Sequence, residues 1–322
     1  MMFVSVIIPT HNRRMHVLRT ASALLKQDYP RASYELIICC DRCTDGTEES
    51  LRSKFGDQVV VIQSGIGGPS PAFNKGWQIA RGKLVIGVDD DMEPVEGFIS
   101  AHVEAHRDDG SSKVVVTGYC PIMFAQDPEP IIRLLAQSFE EYFQELENPG
   151  RQSTPLDICA GNFSISIAGL RAVGGFNENY PFQRCDFELA TRLIENGYEF
   201  RFSRNARANH WIAIDADTLI GRAPERACFD YRLAREHPWC LPYLQFYRPL
   251  HHPAARFRWR VLWKCCGTAA IVLSILRKIS SNARLSSLEY LCRYCIGLRR
   301  EGGSWRELCR LAENRERNVV KA

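Results

Sequence analysis

Over the first ninety positions, apolar residues fall in short unbroken runs separated by stretches with helical spacing. The runs 5–9 (SVIIP), 35–40 (ELIICC), 59–63 and 84–88 (LVIGV) have strand length and are bounded by turn residues, so they predict buried strands. Between them, residues 14–27 place Val17, Leu18, Ala21, Leu24 and Leu25 on one helical face. A second helix follows with Thr47 as its N-cap, and a third covers 73–80 after the Gly/Pro/Ser loop 64–71. Strands alternating with helices predict βαβ units and a mainly parallel sheet. The second half is less regular. Strands are expected at 114–120, 161–165, 198–202 and 208–212, and helices at 129–146 and 187–195. Gly174–Glu178 reads as a tight turn, and Asn196-Gly197 ends the second of these helices as a left-handed cap would. After Asp215 the pattern is almost wholly helical.

Three acids, Asp89, Asp90 and Asp91, stand directly behind the run 84–88. They would repel one another unless a cation sat among them. In open α/β sheets, ligands bind outside the carboxyl ends of the strands. A hard divalent cation with a phosphate-bearing ligand is therefore the natural occupant, and a solvated acidic loop is the alternative. Met92-Glu93-Pro94 closes this loop, with Pro94 suited to the first turn of a helix. The loops after Pro9, Cys40 and Val88 leave one common edge and gather Thr10, Asp41, Asp45 and the three acids there. Neither a GxGxxG nor a GxxxxGK[ST] loop occurs, so the dinucleotide and P-loop routes to phosphate binding lack support.

A length of 322 residues suits one large α/β domain with an extension, or two domains, and 45% hydrophobic with 24% charged residues is ordinary for a globular chain. The net charge of +4 hides an asymmetry. Residues 251–322 hold 15 Lys/Arg against 5 Asp/Glu, a balance of +10, while residues 1–250 hold 26 against 32, a balance of −6. A basic, apolar-rich tail suits an anionic membrane surface; a solvated helical surface is the other reading. Residues 265–276 form an uncharged stretch between Lys264 and Arg277. Twelve residues fall short of the roughly 20 that cross a bilayer, so a core or interfacial helix is expected rather than a spanning one. The 13 cysteines are scattered and sometimes adjacent, and Met1-Met2-Phe3-Val4 leads straight into a strand, so reduced thiols, no signal peptide and a cytoplasmic setting are expected. Cys40-Asp41-Arg42-Cys43 is a CxxC without a second pair at zinc spacing.

Several motifs in order resemble those of the family 2 glycosyltransferases. Residues 5–12 (SVIIPTHN) are similar to that family's first strand and nucleotide loop, and 40–47 (CDRCTDGT) to its VDDGSTDGT signature. Residues 68–76 resemble the G-x-x-x-A-R-N-x-G segment, 80–82 the A-x-G, 88–91 the DxD, and 174–178 the GGF[DN]E. Residues 185–189 (CDFEL) sit where the catalytic E-D-x-x-L lies. The resemblance covers residues 3–215 and implies an α/β GT-A fold: a Rossmann-like, nucleotide-binding, mainly parallel central sheet. It would form a domain over 1–215, followed by a helical basic extension over 216–322, and a peripheral position on the cytoplasmic membrane face would suit that tail.

The same resemblance implies an inverting, non-processive glycosyltransferase that moves one sugar from a nucleoside diphosphate donor, a UDP-sugar by preference, to a hydroxyl acceptor. A lipid-linked or cell-surface glycan suits the basic tail, and no nucleic acid is implied. Thr10, Asp41, Asn74, Lys75, Asp89 and Asp90 would bind the nucleotide sugar, with Thr10 and Asp41 bordering the base. Asp91 and Asp89, with His210, would hold Mn²⁺ or Mg²⁺, and His210 could equally be a buried structural histidine. Asp186 would be the catalytic base, although a helix cap would also place an acid there. Asn162 and Glu178 would face the acceptor, or stabilise their own turns. This chain departs from the family pattern at Cys40, Phe73 and Cys185, which replace an Asp, an Arg and a Glu. Lys75 or Arg81 is the expected substitute for that Arg. A Q-x-x-R-W sequence, as in processive members, is absent: Arg258-Trp259 matches only its ending, with Ala at 255. A sugar nucleotidyltransferase would need a Gly-rich basic loop where Pro9-Thr10-His11-Asn12 stands, and a catalytically degenerate nucleotide-sugar-binding protein is the remaining alternative.

Overall fold

The computed structural model describes residues 1–65, 67–107, 113–280 and 282–319. Ile66, inside the expected 64–71 loop, lies outside the described residues. The chain divides into two compact units, Met1–Ala125 with Phe139–Ile212, and Gln126–Ser138 with Ala213–Ala322.

The first unit is built on a mixed sheet of nine strands: β1 Val4–Thr10, β2 Tyr34–Cys40, β3 Val60–Gln63, β4 Leu84–Val88, β5 Met92–Pro94, β6 Val114–Tyr119, β7 Ile122–Met123, β8 Asn162–Ser166 and β9 Glu199–Trp211. Their order is β3-β2-β1-β4-β8-β6-β9-β5, with β7 also on β9. The four strands β3, β2, β1 and β4 are parallel, as the apolar runs predict. β8 then enters antiparallel to both β4 and β6. Strands buried on both faces read as continuous apolar runs because each alternate side chain finds its own layer. Val4, Val6 and Ile8 of β1 pack with Val17, Ala21 and Phe98 on one face. Ile7 packs on the other with Phe73, Phe163 and Leu189.

Local details differ from expectation at three places. Pro94 ends β5 instead of opening a helix, and the next helix, Phe98–Ala105, starts four residues later. The N-cap of helix Thr47–Phe55 is Gly46, and Thr47 instead donates to the Asp45 carboxylate. The two strands expected at 198–202 and 208–212 are one strand, β9, whose register against β6 slips between Gly118 and Tyr119. That slip hides the continuity from any period-two reading. Gly76 in helix Pro69–Ile79 allows close packing, since a Cβ there would lie 2.6 Å from Ile7 Cγ2 and 2.7 Å from Cys39 Sγ.

The second unit is helical, as the pattern after Asp215 predicts. Its helices include Ala216–Gly221, Ala223–Glu236, Pro253–Ile279, Ala283–Arg300 and Trp305–Val319. Gly297 lets Ala283–Arg300 sit tight on Ala223–Glu236, where an added Cβ would meet the Pro224 backbone. The uncharged stretch 265–276 proves to be the middle of a 27-residue helix that runs on through Lys264 and Arg277. By length and composition, Ala255–Ile279 is long and apolar enough to cross a membrane. The expectation that this segment is too short is therefore corrected: charges at its borders do not end a helix.

Candidate active site

Parallel packing of β1, β2 and β4 brings their C-terminal ends to one edge. Thr10, Asp41 and the acids 89–91 meet there because each is the first polar group after an apolar strand. Thr10 Oγ1 donates to Asp90 Oδ2 at 2.6 Å. Arg13 bridges two of the acids, with Nη1 2.7 Å from Asp90 Oδ1 and Nη2 2.8 Å from Asp91 Oδ2. Sequence reasoning did not assign Arg13 a role. Two arginines immediately after the first nucleotide-type loop, facing three aspartates across the sheet edge, were the available signal.

Electrostatics separate the three acids. Burial pushes Asp90 up to about 7, against the pull of Arg13 and Thr10. Burial and the neighbouring Asp91 raise Asp89 to about 6, and Asp186 adds to that rise. Burial would raise Asp91 too, but His210 and Arg13 hold it well below the usual carboxylate range. His210 answers in kind: burial lowers its pKa, yet Asp91 leaves it above the ordinary imidazole value. Asp186 therefore lies close enough to Asp89 for the two charges to interact, which links the later half of the sequence to the acid cluster.

One atom in the cluster is under-satisfied. Asp91 Oδ1 is buried with no hydrogen-bond partner among the described residues, and His210 Nε2 stands 3.5 Å away. Among the described residues no three His, Cys, Asp or Glu side chains are gathered closely enough to hold a metal ion, so Asp91 Oδ1 and His210 are a pair of metal-type donors rather than a formed site. β9 supplies this histidine because its N–H is held by Pro121 O, while Trp211 N bonds Asp91 O. Gly161 is required beside it: a Cβ there would lie 2.7 Å from Asp89 Oδ2.

Asp186 opens helix Cys185–Glu195, after Arg184 at a φ of 60°. One of its oxygens, Oδ1, accepts from the Phe187 backbone N–H at 2.8 Å, which fixes the side chain at the helix N-terminus. Burial and the adjacent Asp186 push the Cys185 thiol up to about 12, so it is a neutral group beside the acid.

Other expected site residues are occupied differently. Asp41 accepts from Ser64 Oγ at 3.0 Å, Gly67 N at 3.0 Å and Gly68 N at 2.7 Å, so it pins the loop that leads into helix Pro69–Ile79. Asn74 donates to Phe176 O and Glu178 Oε1 and accepts from Trp77 Nε1 and Phe176 N, which uses all four of its hydrogen-bonding functions. Asn162 is fully buried, with both amide hydrogens on Ala206 O and Tyr119 O, and Oδ1 against His102 Nε2 at 2.8 Å. The expected donor contact of Asn74 and acceptor contact of Asn162 thus have no free N–H behind them. Glu178 is exposed and steadies Asn74, and Lys75 is exposed on the same helix.

Arg81 is spoken for by Glu35, through Nε at 2.9 Å and its backbone N–H at 2.8 Å, at the opposite end of β4, and so does not replace the missing arginine. Phe73, standing at that arginine's place, is a core residue against Phe163 and Phe176 at ring distances of 5.6 and 5.0 Å.

A family model described as Glycosyl transferase family 2 matches residues 5–173. Validoxylamine A glucosyltransferase from Streptomyces hygroscopicus subsp. jinggangensis (strain 5008) is 27% identical over 272 residues, covering 75% of this chain and 62% of that protein. The chain spans about three-fifths of the length of the first curated relatives that it matches. Among solved structures, the mannosyltransferase PcManGT from Pyrobaculum calidifontis, in complex with GDP-Man and Mn²⁺, aligns with a TM-score of 0.63 at 18% identity, over 92% of this chain and 86% of that one. GalNAc-T7 with UDP, GalNAc and Mn²⁺ aligns at 0.52 and 16% identity, over 66% of this chain and 44% of that one. At these identities the structural likeness establishes the shared GT-A fold.

Proposed function

This chain belongs to glycosyl transferase family 2, and from that premise we propose that it transfers a single sugar, with inversion, from a nucleoside diphosphate sugar to a hydroxyl acceptor. The observation that carries the reading is the buried Asp91 Oδ1, without a hydrogen-bond partner and 3.5 Å from His210 Nε2, in a cluster where the charges of Asp91 and Asp186 both act on Asp89. Asp91, Asp89 and His210 would hold Mn²⁺ or Mg²⁺, which when bound neutralises charge on the departing diphosphate. Thr10 borders the nucleotide, and Asp41 shapes its pocket through Ser64, Gly67 and Gly68, which it holds. Arg13, the cation seated on Asp90 and Asp91, would meet a diphosphate bound at this edge.

Asp186 takes the proton from the acceptor hydroxyl as that oxygen attacks the anomeric carbon. Its second carboxylate oxygen carries this role, since the first is held by the Phe187 N–H. One base and no protein nucleophile at this position mean attack on the face opposite the leaving group, hence inversion, through an oxocarbenium-like transition state. Support for a nucleotide-sugar donor comes from the neighbours solved with GDP-Man and with UDP. Between the two bases, the family resemblance favours UDP. A lipid-linked or cell-surface glycan is the acceptor class that suits the basic tail.

Calorimetry with nucleoside diphosphates in the presence and absence of Mn²⁺, followed by donor hydrolysis over a panel of nucleotide sugars, tests the proposal. Metal-dependent binding with slow hydrolysis of one donor is the expected result. Binding without turnover of any donor, even with an alcohol acceptor, would mark a degenerate binding protein. Chemistry that requires pyrophosphate would mark a nucleotidyltransferase.

A further inference from the structure

Helix Pro253–Ile279 carries six Lys/Arg and no acidic residue in 27 positions. Its inner face is settled within the second unit. Trp259, Trp263, Cys266, Ala270, Leu273 and Arg277, spaced alternately by four and three, are buried. Arg299 Nη1 of helix Ala283–Arg300 reaches Trp263 O at 3.2 Å, and Arg277 is paired with Glu289 at 2.9 Å and with Asp217.

The outer face is apolar and uncovered. Phe257, Val261, Ile271, Ile275 and Ile279 are exposed by 71, 51, 66, 57 and 79%. Between Val261 and Ile271 the same face carries Lys264 and Thr268, so one exposed cation interrupts the stripe. Isolated exposed apolar residues are ordinary, but the cluster of Ile271, Val272, Ile275, Leu276 and Ile279, with Phe257 and Val261 beyond Lys264 on the same face, marks an interaction surface. Arg258 and Arg260 flank the face near one end and Lys278 at the other, while Lys264 stands on it; all four are exposed and none is in an ion pair among the described residues.

We propose that this face docks on an anionic lipid bilayer, with the helix lying in the interfacial plane, its stripe immersed and its four free cations among the headgroups. An apolar face bordered by Lys and Arg has the composition of an in-plane helix, and long basic side chains reach back to the headgroups. A second copy of this chain fits worse. In a two-fold contact the same patch meets itself, so these cations would face one another with no acid on the helix to answer them. A bilayer-crossing pose fits worse too, because Arg277 and its Glu289 partner would be carried into hydrocarbon. The inference rests on this helix and not on the reaction proposed above.

Flotation of the full chain with vesicles of phosphatidylcholine, alone or mixed with phosphatidylglycerol, tests it. The chain should float with the anionic vesicles only, and less as salt rises. Ile271→Glu with Ile275→Glu should reduce flotation to background. Arg258→Gln, Arg260→Gln and Lys264→Gln together should weaken it by about tenfold or more. Unchanged thermal melting would show that both variants fold, as expected for substitutions at exposed positions. Absence of flotation by the wild-type chain would overturn the proposal, as would equal flotation of the glutamate variant. Resistance to alkaline carbonate extraction would indicate a crossing helix instead. A dimer in light scattering that the glutamate pair converts to monomer would assign the face to a second copy.

Discussion

Two groups of polar residues in the first unit sit within a few positions of apolar strands, yet the fold treats them oppositely. Asn74 and Asn162 are saturated: their amide hydrogens find backbone or side-chain acceptors, and each ties two distant segments together. Asp89, Asp90 and Asp91 are crowded, with pKa values driven apart and one buried oxygen without a hydrogen bond, its nearest charge partner His210 at 3.5 Å. A satisfied buried polar group costs little and holds structure; an unsatisfied one is tolerated where something else completes it. The contrast sets the saturated asparagines apart from the acids of the proposed site without reference to sequence position, and it can be broken experimentally.

The largest effect should come from Asp91→Ala, which is expected to abolish metal-dependent nucleotide binding while leaving the melting temperature near that of the parent. Retained Mn²⁺ dependence in calorimetry would move the ligand role to another residue. Asp186→Asn should lower turnover by about 10² or more with donor affinity nearly intact, as for loss of a general base. A collapse of donor affinity would make Asp186 a binding residue instead. On the scaffold side the pattern should reverse. Asn162→Ala should cost about 1–3 kcal/mol for a buried partner left unpaired, read as a lower melting temperature, with nucleotide affinity unchanged in the folded fraction.

A pH series sharpens the same point. Burial lowers His102, the partner of Asn162, to about 3 and His106 to about 4. Both values lie below that of a free imidazole, so the unfolded chain takes up protons first as pH falls. The stability that these neutral histidines contribute is present above about pH 6.5 and is lost progressively towards their folded values. His102→Gln should flatten the fall in melting temperature between neutral and mildly acidic pH; an identical slope in the variant would assign the loss elsewhere. The smallest effect is expected from Thr10→Val. It removes one hydrogen bond to Asp90 and should weaken nucleotide binding only by a few-fold, roughly the 1 kcal/mol of one net hydrogen bond.

Much of this was legible in the sequence because it depends on local pattern. The runs that became β1 to β4, the acids behind β4 and the Gly174-Gly175 turn (φ 74° and 73°) follow from burial on two faces and from backbone sterics. Asp186 at a helix start was legible as well, although its nearness to Asp89 was not. Arg13, the Asp41 loop clasp and the saturation of Asn74 and Asn162 were hidden, since each depends on partners far away along the chain, up to 104 positions for Asn74. The Glu35 pairing that removes Arg81 from the site was hidden for the same reason.

The sequence by itself determined which segments are strands and helices, that three carboxylates follow a buried strand, and that the last seventy residues are basic. Periodicity and composition are properties of neighbours in the chain, so one strand of text suffices to read them. Tertiary structure alone decided which polar groups are spent on one another and which are left over, because hydrogen-bond saturation is a property of neighbours in space. It also decided that one face of helix Pro253–Ile279 is packed and the other bare, a division that an apolar run with residues of the same type all round cannot express.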